Sequence, residues 1–315
     1  MAAKAMATTT TNVKSVRTSF NAAEYTGSLR VLFFGSGSPA SVIALDAVAR
    51  AATISGVVVP KSRAAAPLVA ASRRHGFNTF FFGSKLERAD LLCIATFPSV
   101  LPPEILQFGE RGGINAHMSL LPRHRGPDPL FWTYMSDDRW TGVTVHWLDD
   151  KADGGPIILQ REIRLERGRS VLEVYNDLAD IGGDLLASAV RLISAGTAPR
   201  IAQDESLATR EPSRNATSAR VDAAAWPAER VWHVLRGLTI KRGTLLGIAH
   251  GVPREYFVVR HDRAPGTIER IGKTLRVYCT DGYVDIDAAP RASLFGKIVR
   301  RLRRLTKTSF QTASE

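Results

Sequence analysis

Arg30-Val31-Leu32-Phe33-Phe34-Gly35-Ser36-Gly37-Ser38-Pro39, continuing as Ala40-Ser41-Val42-Ile43-Ala44-Leu45, is the stretch that decides the fold. Four consecutive apolar residues end at a Gly/Ser turn, and the apolar spacing then changes to that of a helix over residues 41–52. A short buried strand, a tight turn and a helix are the start of a βαβ unit. The next apolar run, 54–59, supplies a second strand, 67–75 a second helix, and 79–82 and 91–96 further strands. This alternation implies a parallel sheet covered by helices.

Gly35-x-Gly37 after a strand invites a dinucleotide-binding reading, but that fingerprint needs a third glycine, and position 40 is Ala, followed by Ser41. The second strand also runs from Val59 into Pro60-Lys61 where an acidic residue would be required. A nicotinamide cofactor is therefore not expected. The turn still presents backbone N–H groups at a helix N-terminus, which suits a small substrate anion, so Gly35 and Ser36 are candidate substrate contacts.

The 315 residues carry 42 Lys+Arg against 30 Asp+Glu, a net charge of +12, and 44% of them are hydrophobic. Such a chain buries a sizeable core, which excludes wholesale disorder and a disulfide scaffold. The charge is uneven: residues 1–30 hold +3 and residues 291–315 hold +6, leaving +3 for everything between. Cys93 and Cys279, the two cysteines, each lie in an apolar run without a ligand-spaced partner. They read as buried thiols of a reducing, cytoplasmic compartment, with no metal site and no disulfide. No apolar run approaches the ~18 residues of a membrane span. Residues 1–28, rich in Ala and Thr, are expected to be a flexible extension.

Downstream, 113–117 (Gly-Ile-Asn-Ala-His) ends a strand in polar residues, 141–148 and 156–163 are strands separated by the acidic loop Asp149-Asp150-Lys151-Ala152-Asp153, and 171–196 has the spacing of a long amphipathic helix. Residues 201–220, polar and proline-containing, read as a linker. Beyond it, a helix near 227–238 and short strands at 245–249, 256–259, 267–271, 275–279 and 283–286 suggest a small β-barrel over 221–290.

Asn115, His117 and Asp153 fall at strand ends or in the loops after them, the edge at which open parallel sheets bind ligands. An amide, an imidazole and a carboxylate suit acyl transfer: donors for an oxyanion, a group that titrates near neutrality, and a charge that orients it. The set contains no good nucleophile, so direct transfer to an amine fits better than a covalent intermediate. Asn is a poor zinc ligand and no Cys is near, which argues against a metal site. Ser119 suits either a capping role or a ligand contact, Arg125 either fixing its loop or binding an anionic substrate, and His124 reads as a solvated loop residue. His146, on a strand, reads as a satisfied imidazole rather than an acid or base.

Three ordered blocks carry a resemblance: Asn115-x-His117-x-Ser119-Leu120-Leu121-Pro122-x-x-Arg125-Gly126, Thr141-Gly142-Val143-Thr144-x-His146, and Asp153-x-Gly155-x-Ile157, with 36 positions from His117 to Asp153. Together they resemble the 10-formyltetrahydrofolate-dependent formyltransferases. The resemblance implies a Rossmann-like, mostly parallel α/β catalytic domain over 29–200 and, more loosely, an OB-like barrel over 221–290. It further implies 10-formyltetrahydrofolate as co-substrate without a metal, with Asn115 and protonated His117 stabilising the tetrahedral intermediate and Asp153 holding His117 and relaying a proton. The pterin is then expected against Ala95, Phe97, Val100 and Leu101 and the backbone around Asp149, Asp150 and Lys151.

The acceptor is expected to be a small amine, such as an amino sugar on a nucleotide carrier. The passage from Val59 through Pro60-Lys61-Ser62-Arg63-Ala64 into a helix leaves no room for a long basic tRNA-binding loop, and a body charge of +3 is poor for neutralising phosphates. The alternatives are initiator aminoacyl-tRNA as acceptor, or a folate-binding relative with little transfer activity. Residues 291–315 form a basic amphipathic tail, with Leu294, Phe295, Ile298, Leu302 and Leu305 on one stripe and four arginines beside it. Such a helix docks on the body or touches RNA or an anionic membrane.

Overall fold

The computed structural model describes residues 29–213, 220–238 and 251–288. The expected extension 1–28, the strand at 245–249 and the basic tail 291–315 lie outside the described residues. Two compact units divide at residues 166–171 and 213–214.

The first unit is built on a seven-stranded sheet. The opening stretch forms β1 (Arg30–Gly35) and α1 (Pro39–Ala49); β2 (Thr53–Val59), α2 (Ala66–Arg74), β3 (Thr79–Phe81), β4 (Leu91–Ala95), the single turn α3 (Pro103–Leu106) and β5 (Gly113–His117) follow. α4 (Pro129–Met135), β6 (Trp140–Trp147), β7 (Ile157–Arg164) and the 24-residue α5 (Val171–Ser194) complete it. The strand order is β3-β2-β1-β4-β5-β6-β7. β1 to β5 pair in parallel, whereas β6 runs antiparallel to both β5 and β7. The order reverses between β1 and β4, the switch point at which a crevice opens in such sheets.

Both faces of the central strands are covered, which is why they read as continuous apolar runs. On one face Leu32 and Phe34 of β1 and Leu92 and Ile94 of β4 pack with Leu86 and Leu101, flanked by Phe80, Phe82 and Phe97. On the other, α1 and α5 approach each other over small residues: a Cβ added to Gly183 of α5 would meet Ile43 Cγ2 of α1 at 3.0 Å. Ser38 caps α1 by accepting from the Ser41 N–H, with Pro39 in its first turn. The edge strand β7 carries Arg161, Glu162 and Arg164, charges that discourage further strand pairing.

Residues 201–213, which their composition assigns to a linker, instead lie on this unit. Ile201 bridges Ile157 in antiparallel fashion and Arg210 bridges Arg125 in parallel. Polar composition here reflects side chains that serve another segment's backbone.

In the second unit, α6 (Ala228–Gly237) packs on β8 (Gly251–Val258) and β11 (Gly282–Ala288). With β9 (Ile268–Ile271) and β10 (Thr274–Tyr278) these strands form an antiparallel sheet of order β8-β11-β10-β9. Val231, Val234 and Leu235 of the helix and Val277, Val284 and Ile286 of the sheet are buried as its core. The expected barrel is thus, among the described residues, a four-stranded sheet with a helix on one face. Cys279 is buried here and Cys93 in β4; burial pushes the Cys279 thiol up to about 12 and that of Cys93 higher.

Candidate functional site

Side chains alternate across a strand, so Asn115 and His117 of β5 share one face, and the register β5/β6 sets His146 opposite Asn115 and Thr144 opposite His117. All four thus lie on one face. An antiparallel β6 has a consequence that a parallel reading misses. The loop between β6 and β7 begins beside the amino end of β5, where the Leu148 N–H donates to the Gly113 carbonyl at 2.8 Å. Asp153 reaches His117 because this loop lies across the sheet face, so the site is on that face as well as at the carboxyl edge.

Asp153 is the hub. Its Oδ1 lies 3.6 Å from His117 Nδ1 and 3.7 Å from His146 Nε2, and its Oδ2 accepts the Gly126 N–H at 2.9 Å. Its φ is +56°, a left-handed conformation that Asp adopts at a cost of about 1 kcal/mol.

His117 is buried, and its Nε2–H donates to the carbonyl of His124 at 2.9 Å. That bond directs Nδ1 toward Asp153. Asn115 Nδ2 donates to His146 Nε2 at 3.2 Å, and His146 Nδ1–H donates to the Trp147 carbonyl at 2.8 Å. Burial, opposed by Asp153, pushes His146 down to about 4, so it is neutral at pH 7 and able to accept from the amide. The Asn115 amide is thereby oriented, with one N–H and its carbonyl oxygen left for a ligand.

The loop between β5 and α4 is pinned from several sides. Ser119, fully buried, donates to the Arg123 carbonyl at 2.7 Å, and Thr144 Oγ1 donates to the Ser119 carbonyl at 2.7 Å. Ser119 is thus used inside the loop, one of the two roles its position suited. Arg125 is likewise turned inward. Its Nε and Nη2 donate to Gln203 Oε1 (3.2 and 2.8 Å), while Nη1 and Nη2 donate to Glu205 Oε2 and Oε1 (2.9 and 2.8 Å). The guanidinium is thereby committed to fixing its loop rather than to an anionic substrate. His124, read as a solvated loop residue, is in fact 2% exposed, with Nε2 2.7 Å from Asp138 Oδ2 and Nδ1 3.5 Å from Glu211 Oε1. A backbone φ of +58° turns its side chain into this carboxylate pair and its carbonyl toward His117.

Gly35 and Ser36 sit at the switch point between β1 and β4. Ser36, Ser38 and Ser41 gather their hydroxyls around Thr96 Oγ1, at 3.1, 2.6 and 2.5 Å, and Ser41 Oγ donates to the Ala95 carbonyl at 2.9 Å. Thr96, a β-branched residue at φ +53°, is held there by the three serines. Of the residues expected against the pterin, Phe97 is half-buried, with its ring 5.6 Å from Phe34 and 5.2 Å from Phe82. Val100 is 78% exposed, Leu101 is buried in the core and Ala95 is buried at the end of β4. Asp149, Asp150 and Lys151 are exposed in the loop that brings in Asp153, and Asp149 Oδ1 accepts the Lys151 N–H at 3.0 Å. The core thus takes Leu101, while Val100 and the 149–151 backbone remain open.

Sequence reasoning did not single out Gln203 or Thr96, and Gly126 entered it only as the last residue of a motif block, without a role. A glycine at φ +121° signals Gly126 in hindsight, since its N–H reaches Asp153 through a conformation that other residues rarely adopt. Among the described residues no group of three His, Cys, Asp or Glu side chains is arranged to hold a metal ion, and no helix is long and apolar enough to cross a membrane.

A mostly parallel α/β sheet thus brings together a buried imidazole, an oriented amide and a carboxylate, groups whose chemistry suits acyl transfer. The comparisons with known proteins are specific: the chain belongs to the formyl transferase family, whose model matches residues 29–190. It is 33% identical over 208 residues to methionyl-tRNA formyltransferase of Syntrophus aciditrophicus, covering 62% of this chain and 64% of that one. It is 34% identical over 232 residues to the enzyme of the same name from Anaeromyxobacter dehalogenans, covering 67% and 73%. Across such relatives the chain spans from about half to about three quarters of their length. In fold it is similar to an N-formyltransferase from Helicobacter canadensis solved with folinic acid and dTDP-3-aminofucose, with a TM-score of 0.66 at 14% identity over 82% of this chain and 99% of that one.

Proposed function

We propose that this protein transfers the formyl group of 10-formyltetrahydrofolate to a primary amine of a small substrate. The observation that carries the reading is the approach of Asp153 to His117 beside the oriented Asn115 amide. The amine nitrogen attacks the formyl carbon, the bond from that carbon to the folate nitrogen breaks, and one proton passes from the amine to the departing nitrogen. Asn115 offers its second amide N–H to the oxyanion, and His117, protonated on Nδ1, offers another donor from the same face. At 3.6 Å from Asp153, that Nδ1–H is paired electrostatically without being consumed by a hydrogen bond. Asp153 takes up the amine proton through a water and returns it to the leaving nitrogen.

The folate reading draws on family membership, and the exposed Val100 and the 149–151 backbone offer it a surface. Gly35 and Ser36, at the switch point, remain the candidate contacts for the acceptor, reached through the Ser36 hydroxyl because the Ser36 N–H already donates to Ser41 Oγ at 3.0 Å. A small acceptor, such as an amino sugar on a nucleotide carrier, is favoured by the short connection from β2 to α2, only Pro60 to Ala65. Initiator aminoacyl-tRNA is the second reading, favoured by the relatives that the chain matches in sequence. We place the reaction in the cytoplasm, consistent with two buried, unpaired thiols. The test is an acceptor panel that includes amino sugar nucleotides and methionyl-tRNA, with the formylated product identified by mass. Formylation of a small amine supports the first reading and formylation of the tRNA alone the second. For the tRNA reading, deleting residues 291–315 should reduce the salt slope of binding if the tail is the contact.

A further inference from the structure

We propose that Gln203 is a positioning residue that acts on catalysis through Asp153; this inference rests on the formyl-transfer reading of the site. Gln203 lies in the strap 201–213, fifty residues beyond Asp153 in sequence. Its Nε2 donates to the carbonyl of Asp153 at 2.9 Å and to that of Gly155 at 2.7 Å. Its Oε1 accepts from Arg125 Nε and Nη2. Both amide protons and the amide oxygen are therefore engaged, which fixes the orientation of the side chain in one way only.

The two segments that Gln203 joins are those that must be in register for the site to exist. One is the 152–155 turn, in which Asp153 is held at φ +56°. The other is the 122–126 loop, which supplies the Gly126 N–H to Asp153 Oδ2 and the His124 carbonyl to His117 Nε2. The same strap reinforces the join on both sides. Arg210 Nη2 donates to the Ala152 carbonyl at 3.2 Å, Thr209 Oγ1 accepts the His124 N–H at 2.8 Å, and Glu205 holds the far side of Arg125. Gln203 alone among these side chains reaches the backbone of Asp153 itself and the guanidinium of Arg125. Without its two donors, the Asp153 backbone loses the bond that opposes relaxation out of the left-handed region, and Oδ1 drifts from His117 Nδ1.

Two substitutions separate this role from simple support of Arg125. Gln203→Glu keeps an acceptor for the guanidinium but has no donor for the two carbonyls, whereas Gln203→Met keeps neither. The inference predicts that both variants lower kcat by about tenfold or more while the KM for the amine changes less than about threefold, since misplacing a group by ~1 Å is enough for such losses. Amide hydrogen exchange in the full chain should accelerate about tenfold over residues 152–155 and at Gly126 in both. Wild-type kcat and unchanged exchange in Gln203→Glu, with loss confined to Gln203→Met, would overturn the proposal and leave Gln203 as a partner of Arg125 only. If the wild-type protein formylates no amine, the functional reading fails by itself. The exchange measurement then decides whether Gln203 positions the Asp153 turn: faster exchange in both variants upholds it and unchanged exchange rejects it.

Discussion

His117 Nδ1 and Asp153 Oδ1 stand 3.6 Å apart, close enough for charge to matter and too far for a hydrogen bond. The other nitrogen of His117 is already committed to the His124 carbonyl, and the other oxygen of Asp153 to the Gly126 N–H. Each partner is thus anchored on its far side, and the atoms facing each other are left available to a ligand.

Removing either member should abolish most of the chemistry. His117→Ala and Asp153→Ala are each expected to reduce the formyl-transfer rate by at least ~100-fold, the scale of a lost acid–base group. Asp153→Asn keeps an acceptor for Gly126 but removes the charge, so a loss of similar size there assigns the effect to charge. Steady-state kinetics on the three variants make the comparison, and near-wild-type rates would refute the assigned roles.

His146 makes stability depend on pH. Its folded-state value lies near 4, below the ordinary 6.5, so its contribution is fully present above about pH 6.5 and is lost as pH falls toward 4. A shift of this size is worth on the order of 3 kcal/mol. Urea unfolding at pH 7 and at pH 4.5 should show the fall, and His146→Gln should flatten it. An unchanged pH dependence in that variant would assign the effect to other groups.

Legibility in the sequence followed burial. β1, β4 and the Val57–Val59 end of β2 are apolar on both faces and read as strands, and Asn115 and His117 stand out as polar residues closing such a run. Strand direction was not legible: β6 is buried along nearly its whole length, and an apolar run reads the same in either direction. Nor was Gln203 legible, because its partners are backbone carbonyls fifty residues away and no local period encodes such a contact. His124 misled for a related reason. A histidine between two arginines resembles solvated surface until Asp138 and Glu211 arrive from other segments.

Gly126 is expected to tolerate no side chain. At φ +121°, an added Cβ would stand 2.5 Å from the Glu211 carbonyl oxygen. Gly126→Ala should therefore cost about 2–3 kcal/mol of stability by chemical unfolding and reduce activity further by shifting the N–H that Asp153 accepts. Wild-type stability would show that the strap yields at Glu211.

Arg125→Ala leaves Gln203 Oε1 and the Glu205 carboxylate without their donor. Glu205 is exposed and is re-solvated at no counted cost, so the expected loss of about 1–3 kcal/mol comes from the part-buried Gln203 amide oxygen left without its donors. Urea denaturation measures it. A folding stability equal to wild type would mean that the strap is held by its backbone bridges alone.

The most direct test of the account follows 10-formyltetrahydrofolate as the full-length protein converts it to tetrahydrofolate, with and without each amine of the acceptor panel. The account predicts amine-dependent conversion by the wild-type protein that His117→Ala lowers by about 100-fold or more. Tight folate binding with no conversion for any amine, methionyl-tRNA included, would contradict it.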